Sequence, residues 1–179
     1  MRVLSFSPDP GTPQAIMDIL HSYWRMEYIT APAEADGGHA NPFAELPLAG
    51  DDRASLIVHR AVHHYIVLNR YPYNPGHLLI VPYQCLPELA DLSPEARAEM
   101  MELIVFAQDL LRRAMHPDGF NIGFNFGRAG GAGIVQHLHG HVVPRWQGDA
   151  NFLPIIGQTR TLPQALDQTW LRLRACLSA

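Results

Sequence analysis

The chain has 179 residues, 47% of them hydrophobic and 17% charged, with a formal net charge of −4; against ~150 residues per domain this describes one globular domain able to build its own core. All 13 basic residues are arginine and none is lysine, which excludes Schiff-base and pyridoxal chemistry, lysine nucleophiles and the phosphate-binding lysine of a Walker loop. An acidic balance without a basic tract argues against duplex nucleic acid as a partner, whereas 10 histidines suit a function built on imidazole.

In chain order, Thr12-Pro13 reads as a cap followed by a first-turn proline and predicts a short helix over about 13–22. The Pro-, Ala- and Gly-rich stretch from Thr30 to Asp52 reads as a long surface loop. Three short β-branched runs follow, Ser55–His59, His63–Leu68 and His77–Val81, the last two joined by the turn residues Arg70 to Gly76. So short a link predicts antiparallel neighbours. Ser93-Pro94-Glu95 combines an N-cap, a first-position proline and a first-turn acid. The helix it opens carries one apolar stripe: Ala96, Met100, Leu103, Ile104, Ala107, Leu110, Leu111 and Ala114. Beyond the turn His116 to Gly119 the period becomes two, with Phe120, Ile122, Phe124 and Phe126 alternating with small or polar residues. A glycine-rich loop, Gly127 to Gly133, leads to a final strand predicted from about Val135 to Arg145. Thr161 and Gln164 form a capping box ahead of a helix bearing Leu166, Trp170, Leu173 and Leu177.

These elements predict an α+β domain, an antiparallel sheet of about five strands with a long helix packed on it. Residues 55–146 would form its core, 1–54 an extension and loop, and 147–179 a closing segment of the same domain. The longest apolar run, Leu103 to Ala107, is far short of the ~20 residues that cross a bilayer. Met1 to Asp9 lacks the apolar core of a signal peptide, so a cytoplasmic protein without membrane association is expected. Cys85 and Cys176, in apolar sequence surroundings, are expected to be two buried free thiols.

The chemistry concentrates in His137-Leu138-His139-Gly140-His141. On a strand, residues two apart project to one face ~6.6 Å from each other. Three imidazoles would therefore line one surface, directly after a glycine loop whose backbone N–H groups can turn toward an anion, with Arg128 adding positive charge. Packing alone seldom places three titratable rings together, because desolvation and mutual repulsion oppose it. Two chemistries fit: a histidine metal site, or a histidine nucleophile at phosphorus. His59, His63 and His64 read as strand or surface histidines, and Tyr71 and Tyr73 as packing residues of a turn.

Three segments, Asn69 to Pro82, Asn121 to Gly127 and Gln136 to Trp146, with the helix between them, resemble the histidine triad (HIT) family of nucleotide hydrolases and transferases. The flanking pieces Tyr23 to Ile29 and Gly148 to Phe152 look like the bacterial branch related to diadenosine tetraphosphate phosphorylases and hydrolases. The resemblance implies that His139 attacks the α-phosphorus to form a nucleotidyl-histidine. It also implies that His137 orients His139, that His141 contacts the scissile or leaving oxygen, and that His77 closes the cluster. Asn69 would bind ribose, Asn125 would lie near the phosphates, and Arg128, Gly131, Gly133 and Trp146 would border the substrate. Trp24 and Met26 would line a base pocket. No cofactor is implied, although a divalent cation can ride on the substrate phosphates, and the family's habit is a homodimer that joins two sheets.

The chain departs from the family pattern in three places. Gly140 replaces an apolar residue and is expected to loosen the strand, and Gly133 replaces a Ser or Thr that can bond phosphate. Asn41 and Ala44 stand where many relatives carry a Cys-x-x-Cys pair for structural zinc, so no structural zinc is expected despite His63, His64 and His116. A metal-dependent hydrolase using the three histidines as ligands, or a nucleotide-binding module without catalysis, are the alternative functions.

Overall fold

A computed structural model of the chain describes residues 41–149 and 165–177. The helix over 13–22, the Thr161–Gln164 capping box, Trp24 and Met26 lie outside those residues. The order of elements is α1 (Pro42–Glu45), β1 (Ile57–Arg60), β2 (His64–Leu68), β3 (Leu78–Pro82), α2 (Pro94–Met115), β4 (Gly119–Phe124), β5 (Gly140–Arg145) and α3 (Leu166–Leu177). Single 3₁₀ turns follow α1 at Leu46–Leu48 and precede α2 at Leu89–Asp91.

The five strands form one sheet in the order β1-β2-β3-β5-β4, every neighbouring pair antiparallel. α2 starts where its sequence says it should: the Ser93 side chain accepts the Ala96 N–H, and Pro94 occupies the first turn. All eight residues of its predicted stripe are buried, packed over β2, β3 and β5. At ~1.5–3 kcal/mol for each large apolar side chain taken from water, this face outweighs any surface ion pair in holding the helix down. The strand period then sorts the site from the core. His64 points to α2, where its Nδ1 lies 2.9 Å from the Glu99 carboxylate, while Tyr65 points to the opposite face and donates its hydroxyl to the Phe43 carbonyl at 2.7 Å. Val67, Leu79 and His141 share that opposite face and line a cavity there. No helix among the described residues is long and apolar enough to cross a membrane.

Four expectations need correction, the last of them at Gly140 below. Part of the stretch read as a surface loop is ordered: α1 forms at Pro42–Glu45, and Phe43 is buried against the sheet. The last strand begins at Gly140, not near Val135, because its ladder with β3 runs only as far as Ile80 opposite Gly140. Farther along β3 stands Pro82, which has no N–H to donate, so His137 and His139 precede the strand. The two cysteines are free thiols but not buried; Cys85 is exposed and Cys176 half-buried.

Three glycines are required by close packing, Gly76, Gly130 and Gly140; a Cβ on Gly130 would lie 2.3 Å from the Phe126 carbonyl oxygen. A Cβ on Gly140 would come within 2.8 Å of Phe124 Cε1, so this glycine admits the Phe124 ring to the sheet surface and does not loosen it. Gly76 ends the turn before β3 with φ +78°, and a Cβ there would lie 2.6 Å from Met115 Sδ and 3.1 Å from Leu111 Cδ2. The same turn is pinned from the other side by Asp149, which accepts Asn74 Nδ2–H at 2.7 Å and two bonds from Arg145 at 2.7 and 2.8 Å. The Arg145 guanidinium holds the Asp149 carboxyl well below the usual carboxylate range. A left-handed backbone costs a side-chain-bearing residue ~1–2 kcal/mol and overpacking adds ~1–3. Gly76→Ala is therefore expected to destabilise by about 2–5 kcal/mol in urea unfolding; a midpoint equal to wild type would contradict this packing.

Candidate active site

The cavity on the sheet face away from α2 has a volume of about 220 Å³. Its apolar wall includes Phe43, Leu46, Leu56, Val67, Leu79 and Ile134, and its polar side carries Asn69, Asn125, His139 and His141. Leu56 adopts φ +60°, one of two non-glycine residues in the left-handed region among those described; the other, His116, terminates α2.

Hydrogen bonds fix the proton of each ring. The carbonyl of His137 lies 2.9 Å from His139 Nδ1. A carbonyl only accepts, so Nδ1 carries the hydrogen and Nε2 keeps a lone pair. His139 is 8% exposed, and burial pushes its pKa below the ordinary imidazole value, so Nε2 stays bare at neutral pH. Its ring is held by Phe43, whose centroid is 4.9 Å away.

His137 sits behind His139, fully buried and not on the cavity wall. Its Nε2–H donates to the Pro82 carbonyl at 2.8 Å, and its Nδ1 accepts Asn41 Nδ2–H at 2.8 Å. Burial, together with the neighbouring His139, lowers its pKa, with the bond to Pro82 opposing. The Pro82 carbonyl thus bonds a side chain at the point where the β3–β5 ladder ends.

A second chain of bonds runs through His77 and His141. The Tyr73 N–H and Asn69 Nδ2–H both approach His77 Nδ1 at 3.2 Å. The Asn69 amide is oriented for this by its oxygen, which accepts the Tyr71 N–H at 3.0 Å. With Nδ1 accepting, neutral His77 carries its hydrogen on Nε2 and donates it to His141 Nδ1 at 3.0 Å. Neutral His141 then carries its own hydrogen on Nε2, on the cavity wall; the Asn125 amide, with Nδ2 placed 3.4 Å away, meets that hydrogen only when flipped to present its oxygen. Tyr73 stacks on both rings, with centroids 4.7 and 5.9 Å away.

The predicted site residues are therefore divided. His139, His141, Asn69, Asn125, Gly131 and Gly133 line the cavity; His77 and His137 stand directly behind it. Arg128 is exposed on the glycine loop and is not on the wall. Trp146 turns toward the end of α2, where its indole N–H donates to the His116 carbonyl at 3.2 Å. The loop commits two backbone N–H groups to its own turn, Gly131 to the Arg128 carbonyl and Ala132 to the Gly127 carbonyl, which narrows the anion cradle expected of it. Phe43 and Asn41 were missed, although Asn41-Pro42 is the capping pattern that opens α1.

No group of three or more His, Cys, Asp or Glu among the described residues is arranged to hold a metal ion. The hydrogen bonds give the physical reason for the triad, since lone pairs on His137 and His141 are already taken by Asn41 and His77. At the positions compared with a Cys-x-x-Cys pair, the Asn41 amide donates to His137 and Ala44 offers no donor atom, so these residues do not fit a zinc ion.

The HIT domain signature matches residues 52–148, more than half of the chain. The chain belongs to the HIT domain family. It is 44% identical over 160 residues to a protein of Mycobacterium tuberculosis named AP-4-A phosphorylase, covering 85% of this chain and 82% of that protein. A zinc-bound histidine triad family protein from Mycobacterium smegmatis is 28% identical with a TM-score of 0.57, over 69% of this chain and 84% of that one. A hypothetical histidine triad nucleotide-binding protein from Sulfolobus tokodaii, 20% identical, shares the fold with a TM-score of 0.60 over 76% and 91% of the two chains.

Three buried imidazoles of this HIT domain couple its stability to pH. Burial lowers the pKa of His137, His139 and His64, in His64 against the opposing pull of Glu99. Unfolded, each takes a proton near pH ~6.5; folded, each resists protonation to lower pH. The unfolded state then binds more protons below about 6.5, so stability is fully present above that value and falls as pH drops through the folded pKa values. The urea midpoint is expected to be lower at about pH 5.5 than at about pH 7.5. A midpoint that is equal or higher at the acid pH would contradict the buried neutral rings.

Proposed function

We propose that this chain cleaves a phosphoanhydride of a dinucleoside polyphosphate of the diadenosine tetraphosphate type through a nucleotidyl intermediate on His139. The observation that carries the reading is the lone pair on His139 Nε2, exposed to the cavity because Nδ1–H is bonded to the His137 carbonyl. In the first step Nε2 forms a bond to the α-phosphorus as the bond from that phosphorus to the bridging oxygen breaks. The leaving nucleotide departs with the bridging oxygen, next to the Nε2–H of His141. In the second step an acceptor oxygen takes the nucleotidyl group and frees the ring. Splitting the displacement at an imidazole needs no metal ligand from the protein, and a divalent cation would enter only on the substrate phosphates.

The remaining roles follow the cavity. Asn69 is suited to the ribose, Asn125 and the backbone at Gly133 to the phosphates, with Gly131 only bordering them because its N–H is held by the Arg128 carbonyl, and the apolar wall to a base. Arg128 would act on the outer phosphates from the loop, and Trp146 is assigned no contact. The name of the M. tuberculosis relative favours inorganic phosphate over water as acceptor. A nucleotide-binding module without catalysis would not require a bare, oriented imidazole at the wall. Residues 55–146 are proposed as the catalytic core, with 1–54 and 147–179 completing one domain. A cytoplasmic location is supported by the class of substrate and the free thiols. A homodimer joining two sheets is supported by the outer strand β4, where Asn121 and Ile122 are exposed.

His139→Asn is expected to retain nucleotide binding and to lose turnover by roughly 10³-fold or more. With diadenosine tetraphosphate, wild-type protein in phosphate is expected to release ATP and ADP. ATP and AMP in phosphate would assign water as the acceptor instead, and unchanged turnover of the variant would refute the nucleophile. Sedimentation of the same preparation is expected to give twice the monomer mass; a single-copy mass would remove the dimer.

A further inference from the structure

The backbone from Val135 to His139 lies outside the sheet ladder, yet the orientation of one carbonyl within it selects the reactive nitrogen of His139. Two contacts hold that carbonyl in place. On one side the Leu138 N–H donates to the Leu86 carbonyl at 2.7 Å. On the other, the His137 ring is clamped between the Pro82 carbonyl and Asn41 Nδ2, each at 2.8 Å. We propose that Asn41 is a positioning residue for the nucleophile, holding the His137 ring and, through it, the His137 carbonyl that orients His139. The inference rests on His139 being the nucleophile of the reading above.

Asn41 is built for this task from its own side. Its backbone carbonyl accepts the Ala44 and Glu45 N–H groups at 2.9 and 3.3 Å and so opens α1. Two residues on, the Phe43 ring lies against both His137 and His139, and the Phe43 carbonyl takes the Tyr65 hydroxyl. The second Nδ2 hydrogen goes to Cys85 Sγ at 3.1 Å, and that sulfur donates to the Gln136 carbonyl at 3.3 Å. The amide therefore reaches the ring of His137 directly and the residue before it through one thiol. Its oxygen is buried and meets no hydrogen-bond donor among the described residues, so the two donated bonds set the orientation of the amide.

The choice of an amide donor has a chemical consequence. A hydrogen on His137 Nδ1 would face the Asn41 N–H, so the contact admits only the neutral ring protonated at Nε2. That form keeps the bond to Pro82 and keeps positive charge away from His139. An aspartate of the same size would reverse the demand, placing an acceptor where the donor stood.

The test combines ¹⁵N imidazole spectra with steady-state kinetics on diadenosine tetraphosphate for wild type, Asn41→Asp and Asn41→Ala. Wild-type His137 is expected to be neutral, with Nε2 protonated and Nδ1 accepting. Asn41→Asp is expected to move a proton onto His137 Nδ1. Both variants are expected to lower kcat by ~10–100-fold through misplacement of the nucleophile, with KM within about twofold. The wild-type spectrum decides even where a variant fails to fold. The tautomer is read without substrate, so failure here is distinguishable from failure of the proposed reaction. Wild-type His137 protonated at Nδ1, an unaltered tautomer in Asn41→Asp, or unchanged kcat in both variants would overturn the proposal.

Discussion

A single hydrogen bond, from His139 Nδ1–H to the carbonyl of His137, decides which nitrogen faces the cavity with a lone pair. Imidazole is ambivalent in water, where either nitrogen can carry the hydrogen, and a carbonyl removes the ambiguity because it only accepts. That carbonyl is available because β5 has not yet begun at residue 137. The interruption of the sheet is thus a condition of the site, and the surrounding contacts of His137 restore the order that the missing ladder would have supplied.

The second consequence concerns charge. His141 lies against both His77 and His139, with centroids 5.2 and 4.9 Å away; such rings would repel one another if protonated, and burial already disfavours the charged form of His137 and His139. The hydrogen-bond pattern resolves this by giving every ring a neutral tautomer with a defined direction. Backbone N–H of Tyr73 feeds His77, His77 feeds His141, and the hydrogen of His141 emerges at the cavity wall. His139 runs the other way, with its hydrogen turned inward and its lone pair outward. An N–H and a bare lone pair therefore meet at one wall from adjacent rings, whose centroids are 4.9 Å apart. That is the complement a phosphoanhydride displacement needs, one group for the phosphorus and one for the departing oxygen.

Much of this was readable from local pattern. The stripe of α2 follows from its period and the antiparallel pairing of β2 with β3 from their short link, as the structure has them; the place of β5 between β3 and β4 follows from neither. The start of β5 was not readable, because His-x-His-x-His alternates equally well in a strand and in the irregular segment before one. What stops the strand is a proline on a different strand, 55 positions from His137. α1 was hidden for another reason: four residues are too few for a helical period, and Phe43 is surrounded in sequence by Pro, Ala and Gly. Apolar sequence neighbours say little about a side chain just past the end of a strand, and Cys85, three residues beyond β3, is exposed. Trp146 shows the same limit, since its neighbours suggested the mouth of the site while its indole reaches back to α2.

The central claim is that a covalent bond forms at Nε2 of residue 139, and trapping that species tests it most directly. Wild-type protein mixed with diadenosine tetraphosphate without phosphate, quenched in alkali within the first turnover and digested, should yield one peptide carrying an added adenylyl mass. Fragmentation should place the group on His139, and the adduct should vanish on acidification, as a phosphorus–nitrogen bond requires. Turnover that proceeds with no adduct, or an adduct on any other side chain, would contradict the account.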